Sequence, residues 1–310
     1  MLNPQTLETF LRYLHITQAF DYRAKQLQKV GIIGTFPSSA GQEHFFLSLA
    51  MNMNPDDWYC PYYRDQAALI YRGMPISALF QYWAGDERGN QKIPQNSMPI
   101  NVPIGSQVPH ATGIALALRN TNQISVVTLG DGASSKGEVY ESINFAAIHK
   151  LPIVFAVNNN KYAISTHIHQ HSSNHSLAHK FSNIINSRTI NTTSPADVFT
   201  QVGDAINWCR TNNEPLLIDV ITERIDPHTT NDDATLYRTK DELAKIKTNS
   251  PCALLTKELL NNPFSAKQLE QIAQDATAHV EAQATQFLEE PKQDTSNLTE
   301  YLLEKNGTAP

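Results

Sequence analysis

The chain has 310 residues, enough to bury a sizeable core, and its net charge of -6 with 24 Lys and Arg scattered rather than striped gives no footing for nucleic acid. Cys60, Cys209 and Cys252 are odd in number and far apart, which excludes a disulfide framework and points to a reducing, cytoplasmic setting. No apolar run reaches the roughly 18 residues of a membrane span and the start lacks a signal-peptide pattern, so no membrane role is expected.

Leu7, Phe10, Leu11 and Leu14 recur at helical spacing and predict an amphipathic packing helix near the start. From Gly31 to Pro61 turn residues dominate, which reads as loop before a second helix beginning near Asp65. In the middle, Ile124 to Leu129 and Ile153 to Val157 read as strands flanking a helix over Gly137 to Lys150. Ser194, Pro195 and Asp197 then mark a helix start, and Leu216 to Ile221 another buried strand. Alternation of this kind predicts an α/β fold, a parallel sheet with helices on both faces. Beyond Tyr237 the signals turn helical, with capping boxes at Thr239/Glu242 and Ser265/Gln268. We therefore divide the chain into an α/β domain with an N-terminal helical extension, 1–240, and a helical C-terminal segment with its tail, 241–310. Leu298, Tyr301, Leu302 and Leu303 are the tail's main apolar residues.

Both strands of a right-handed βαβ crossover end on the sheet edge where ligands bind, so Asp131, between Gly130 and Gly132, should meet Asn160 there. Either fragment alone is an ordinary turn. Together they offer a carboxylate, an amide oxygen and a nearby carbonyl, the hard donors that suit Mg2+ shared with phosphate.

The stretch GDGASSKGEVYESINFAAIHKLPIVFAVNNNKYAIST resembles the thiamine-diphosphate motif of 2-oxo acid dehydrogenase α subunits. That resemblance implies a thiamine-diphosphate-binding fold with Mg2+ held by Asp131, the Asn160 side chain and the Tyr162 carbonyl. YYRDQAALIYRG is similar to the family segment that puts Tyr63 and Arg64 on the cofactor, Arg64 at the diphosphate. NVPIGSQVPHATGIALA places Val102 and Ile104 against the aminopyrimidine, and through Asn101, Pro103, Ser106 and Gln107 it resembles a K+ loop of some relatives. ERIDPHTTNDDATLYR resembles the family's flexible loop, with His228 beside the diphosphate and the substrate entrance, suited to both by charge. In some relatives the next residue is a regulatory Ser; here it is Thr229. Asn158 stands where relatives often carry a larger residue near the diphosphate.

The resemblance implies decarboxylation of a small 2-oxo acid with acyl transfer to the lipoyl domain of a dihydrolipoyl acyltransferase core, in an α2β2 assembly whose β subunit completes the site. NNNKYAIST and HTTNDD look closer to branched-chain 2-oxo acid enzymes, whereas GTFPSSAGQE and SQVPHATGIALA also occur in pyruvate-type relatives. Three other readings compete. His167, His169, His171, His175 and His179 fit either a Zn2+ or Ni2+ cluster or a solvated Ser/Asn-rich loop. A non-catalytic partner-binding subunit would not need Asp131, Asn160, Arg64 and His228 together, and a nicotinamide enzyme would need a G-x-G-x-x-G that is missing.

Overall fold

Five strands form one parallel sheet in the order β1-β2-β3-β7-β6: β1 is Trp58–Cys60, β2 Ser125–Gly130, β3 Ile153–Asn159, β7 Leu216–Ile221 and β6 Asn186–Ile190. The computed structural model describes residues 2–174, 176–260 and 263–291. His175 and the tail residues Leu298, Tyr301, Leu302 and Leu303 lie outside them.

Period-two alternation along the strands feeds two separate cores. Val126, Val154, Leu216 and Ile218 face one side, where they pack with α1 (Pro4–Lys29), α2 (Glu43–Asn52), α9 (Pro195–Asn212) and α11 (Pro251–Leu259). Val127, Leu129, Phe155, Val157 and Leu217 face the other, under α5 (Gln107–Leu118) and α6 (Gly137–His149). Helices thus cover both faces, as the sequence predicts. The remaining elements are α3 (Gln66–Tyr71), α4 (Ile76–Trp83), the hairpin strands β4 (Tyr162–Ala163) and β5 (Thr166–His167), and the short helices α7 (Ile168–His171) and α8 (Leu177–Phe181). Past the sheet come α10 (Lys240–Thr248) and α12 (Ala266–Glu289), the latter running back along α1 and packing Phe287 on Phe80 of α4.

Caps fall where the side chains predict them. The Ser194 hydroxyl accepts from the Asp197 amide to start α9, with Pro195 in its first turn, and Ser265 and Gln268 form a reciprocal capping box at α12. The segment 31–61 departs from the loop expectation, since it contains α2 and β1. Every α2 residue from Glu43 to Ala50 is buried, so this helix has no polar face and shows no amphipathic stripe. β1 is only three residues long and too short for a period-two signal.

Candidate functional site

At the C-terminal edge of the sheet lies a cavity of about 220 Å3, and all ten cofactor positions expected from the sequence line it. Tyr63 and Arg64 come from the loop after β1, Val102 and Ile104 from the segment before α5, and Gly130, Asp131 and Gly132 from the end of β2. Asn160 and Tyr162 follow β3, and His228 follows β7. Parallel strands deliver their C-terminal loops to one edge, so residues 165 positions apart in the chain meet here.

Asp131 opens a short 3-10 turn, Asp131–Ser135, and is 2% exposed. Gly132 is required by packing: a Cβ there would sit 2.8 Å from the Ala163 Cβ of β4. Gly130 is roomier, its imagined Cβ 3.9 Å from the Tyr62 ring, so what its lack of a side chain preserves is the cavity wall. The Asn160 amide is oriented from both ends, its Nδ2 donating to Gln42 Oε1 at 2.8 Å and its Oδ1 accepting from the Tyr162 backbone N–H at 3.1 Å.

Asn158 does not reach the cavity. It is fully buried, donating Nδ2 to Gln42 Oε1 and the Tyr62 hydroxyl, each at 2.8 Å, and accepting from Thr222 at 2.6 Å. Its shorter side chain therefore serves as a brace behind Asn160 rather than as a ligand contact. Gln42 carries both asparagines, and sequence reasoning missed it because a neutral amide in a turn-rich stretch has no chemical signature.

Arg64 is 1% exposed and staked in place. Its guanidinium donates to Ser38 O and His228 O, each at 2.7 Å, and meets His228 Nδ1 at 2.9 Å. A guanidinium can only donate, so Nδ1 accepts and the ring proton sits on Nε2. The Ser38 loop is itself anchored to α1, where Asp21 Oδ2 accepts from the hydroxyls of Ser38 and Ser39 and from the Ser39 N–H. Burial pushes the Asp21 carboxyl up to about 6.

The expectation that His228 works by charge needs correction from its surroundings. Burial first, then the neighbouring Arg64 and Arg224 guanidinium groups, push its pKa down to about 3, so at neutral pH it is an uncharged imidazole. The loop that carries it is pinned by Asp232, whose Oδ2 accepts from the His228 N–H at 2.7 Å and from the Tyr237 hydroxyl. Arg224 is fully buried, donating to Ile164 O and the Tyr237 hydroxyl, while its Nε and Nη1 have no partner.

In the loop expected to hold K+, Asn101, Pro103 and Gln107 line the cavity, and Ser106 does not. The Ser106 hydroxyl sits 2.9 Å from both Asn101 Oδ1 and Pro103 O, Gln107 Nε2 donates to Thr128 O, and Gln107 Oε1 is buried without a partner. Among the described residues no group of three or more His, Cys, Asp or Glu is placed to hold a metal, so the His-rich stretch forms no such cluster there. His171 instead turns inward onto Asp131, which the sequence did not suggest. No helix among the described residues is long and apolar enough to cross a membrane.

A family model described as the dehydrogenase E1 component matches residues 12–296. The chain is 32% identical over 275 residues to a pyruvate dehydrogenase E1 component subunit alpha of Mycoplasma pneumoniae, covering 87% of this chain and 76% of that one. It is 30% identical over 311 residues to the protein of that name in Bacillus subtilis, covering 98% and 84%. It is also 30% identical over 286 residues to a 3-methyl-2-oxobutanoate dehydrogenase subunit alpha of Mycobacterium tuberculosis, covering 91% and 78%. The chain belongs to the dehydrogenase E1 component family, as an α subunit of the decarboxylating component of a 2-oxo acid dehydrogenase complex.

Proposed function

We propose that the cavity holds thiamine diphosphate and Mg2+, and that the chain, with a β subunit, decarboxylates a small 2-oxo acid and passes the acyl group to a lipoyl domain. The observation that carries this reading is the convergence of Asp131 and Asn160, from the ends of adjacent strands, with Arg64 and His228 on one cavity. The donor set fits the metal: a nearly buried carboxylate, an amide oxygen and the Tyr162 carbonyl are hard oxygens of the kind Mg2+ takes alongside phosphate. Bound there, the cofactor would supply the electron sink for loss of carbon dioxide.

The protein's own contributions follow from its side chains. Arg64 offers a fixed cation to the diphosphate, and His228 offers a neutral Nε2–H donor. Val102 and Ile104 present apolar walls, yet they are 51% and 46% exposed, which supports a second subunit covering the cavity mouth. The oxygens of Asn101, Pro103, Ser106 and Gln107 are the proposed K+ site, with the partnerless Gln107 Oε1 in its favour. Residues 1–240 are the proposed cofactor domain, and α10, α11 and α12 belong to the proposed appendage that follows it.

Two substrates fit the class. The sequence segments NNNKYAIST and HTTNDD favour a branched-chain 2-oxo acid, and the relatives named for pyruvate favour pyruvate. The test is calorimetric titration of thiamine diphosphate with and without Mg2+ into the chain co-expressed with its β subunit, then decarboxylation of pyruvate and 2-oxoisovalerate. We expect Mg2+-dependent binding and turnover of one substrate. Failure to bind in the complex would leave a non-catalytic subunit.

A further inference from the structure

We propose that His171 is a positioning residue that fixes the Asp131 carboxylate for the metal, a role resting on the Mg2+ site proposed above. His171 Nε2 lies 3.2 Å from Asp131 Oδ2, with the two side chains 12% and 2% exposed. A carboxylate only accepts, so in this pair Nε2 donates. The bond holds one oxygen and would leave Oδ1 to meet the cation.

The imidazole is placed by structure on both sides of it. The β4–β5 hairpin brings the chain back from Tyr162, and Ile168 anchors α7 with its side chain in the core and its N–H on Lys161 O at 2.8 Å. The Ser172 N–H closes the turn on Ile168 O, and the Ser135 hydroxyl, from the same turn as Asp131, reaches His171 O at 3.3 Å. The loop and the carboxylate are therefore tied together twice, through backbone and through side chain.

The bond satisfies a nearly buried carboxylate, at some cost to the imidazole itself. Its Nδ1 is buried with no partner, and an unsatisfied buried polar atom costs about 1–3 kcal/mol. A side chain that touches the proposed metal carboxylate, and whose own backbone is tied to the same turn, is placed to orient it, as the outer partners of metal ligands commonly do.

Calorimetric titration of Mg2+ at saturating thiamine diphosphate, on the chain with its β subunit, tests this with His171→Ala, His171→Gln and His171→Leu. We expect His171→Ala to weaken Mg2+ binding about 10- to 100-fold in a chain that still folds, and His171→Gln, whose amide can donate, to restore most of it. Should the Ala variant fail to fold, His171→Leu, which fills the space without a donor, takes its place in the comparison with Gln. Wild-type affinity in the Ala or Leu variant would overturn the proposal, as would a Gln variant no better than they are. Absence of Mg2+ binding in the wild type would overturn the metal site itself, an outcome distinguishable from either.

Discussion

Replacing His228 with Gln should flatten the loss of stability that this chain suffers in acid. In the fold His228 titrates at about 3, and in the unfolded chain at the ordinary 6.5. Between those values the unfolded state holds the extra proton, so stability falls as pH falls through the window, by about 1.4 kcal/mol per pH unit. From pH 6.5 to about pH 5 that amounts to roughly 2 kcal/mol. Asp21, Glu43 and Asp65, pushed up by burial to about 6, 7 and 8, work in the opposite sense. Their protons bind the folded state first, so their contribution is lost as pH rises toward those values. His44, pushed down to about 4, adds an acid penalty of the same sign as His228. All four groups remain in both proteins and cancel in the difference. Gln keeps an acceptor for the Arg64 guanidinium, so the offset at neutral pH should be small, about 1 kcal/mol or less. Urea unfolding followed by the fluorescence of Trp58, Trp83 and Trp208 across this pH range gives the two curves. Curves that stay parallel down to about pH 5 would mean that His228 takes up its proton normally in the fold, and that the burial and the Arg64 contact do not hold it neutral.

Asp131→Ala should abolish Mg2+-dependent thiamine diphosphate binding without unfolding the sheet, since the carboxylate follows β2 rather than packing within it; unchanged affinity in calorimetry would sink the metal assignment. Gln42→Leu should release both Asn158 and Asn160 and weaken the same binding by about tenfold, whereas an unaltered Kd would show that Asn160 keeps its pose unaided. Arg210→Ala should cost about 3–5 kcal/mol in chemical denaturation, because it strands Asp57, fully buried and held by two guanidinium bonds of 2.9 and 2.6 Å. A loss below about 1 kcal/mol would show that the backbone amides of Asn54 and Ile124 satisfy Asp57 by themselves.

What the sequence discloses and what it hides divide along a physical line. Asp131 and Asn160 are legible because each directly follows a strand, and the crossover geometry of parallel sheets is general enough to bring the two strand ends together. The strands themselves show as β-branched runs, since both faces of a central parallel strand are buried. Helix α2 hides for a related reason. Buried on every side, it offers no contrast between faces, and contrast is what periodicity detects. Gln42 and His171 hide more deeply, because their meaning comes from contacts 118 and 40 residues away rather than from any neighbour in the chain. Gln42 has a residue type that many loops carry, and His171 sits among four other histidines whose alternation suggests a cluster that the described residues do not form. The proposed ligands of this site can thus be read from strand ends, while the groups proposed to aim them are set by how separate loops stack on one edge. That difference is a reason to test Gln42 and His171 beside Asp131: if aiming is what they do, losing either should weaken the metal while leaving the fold intact.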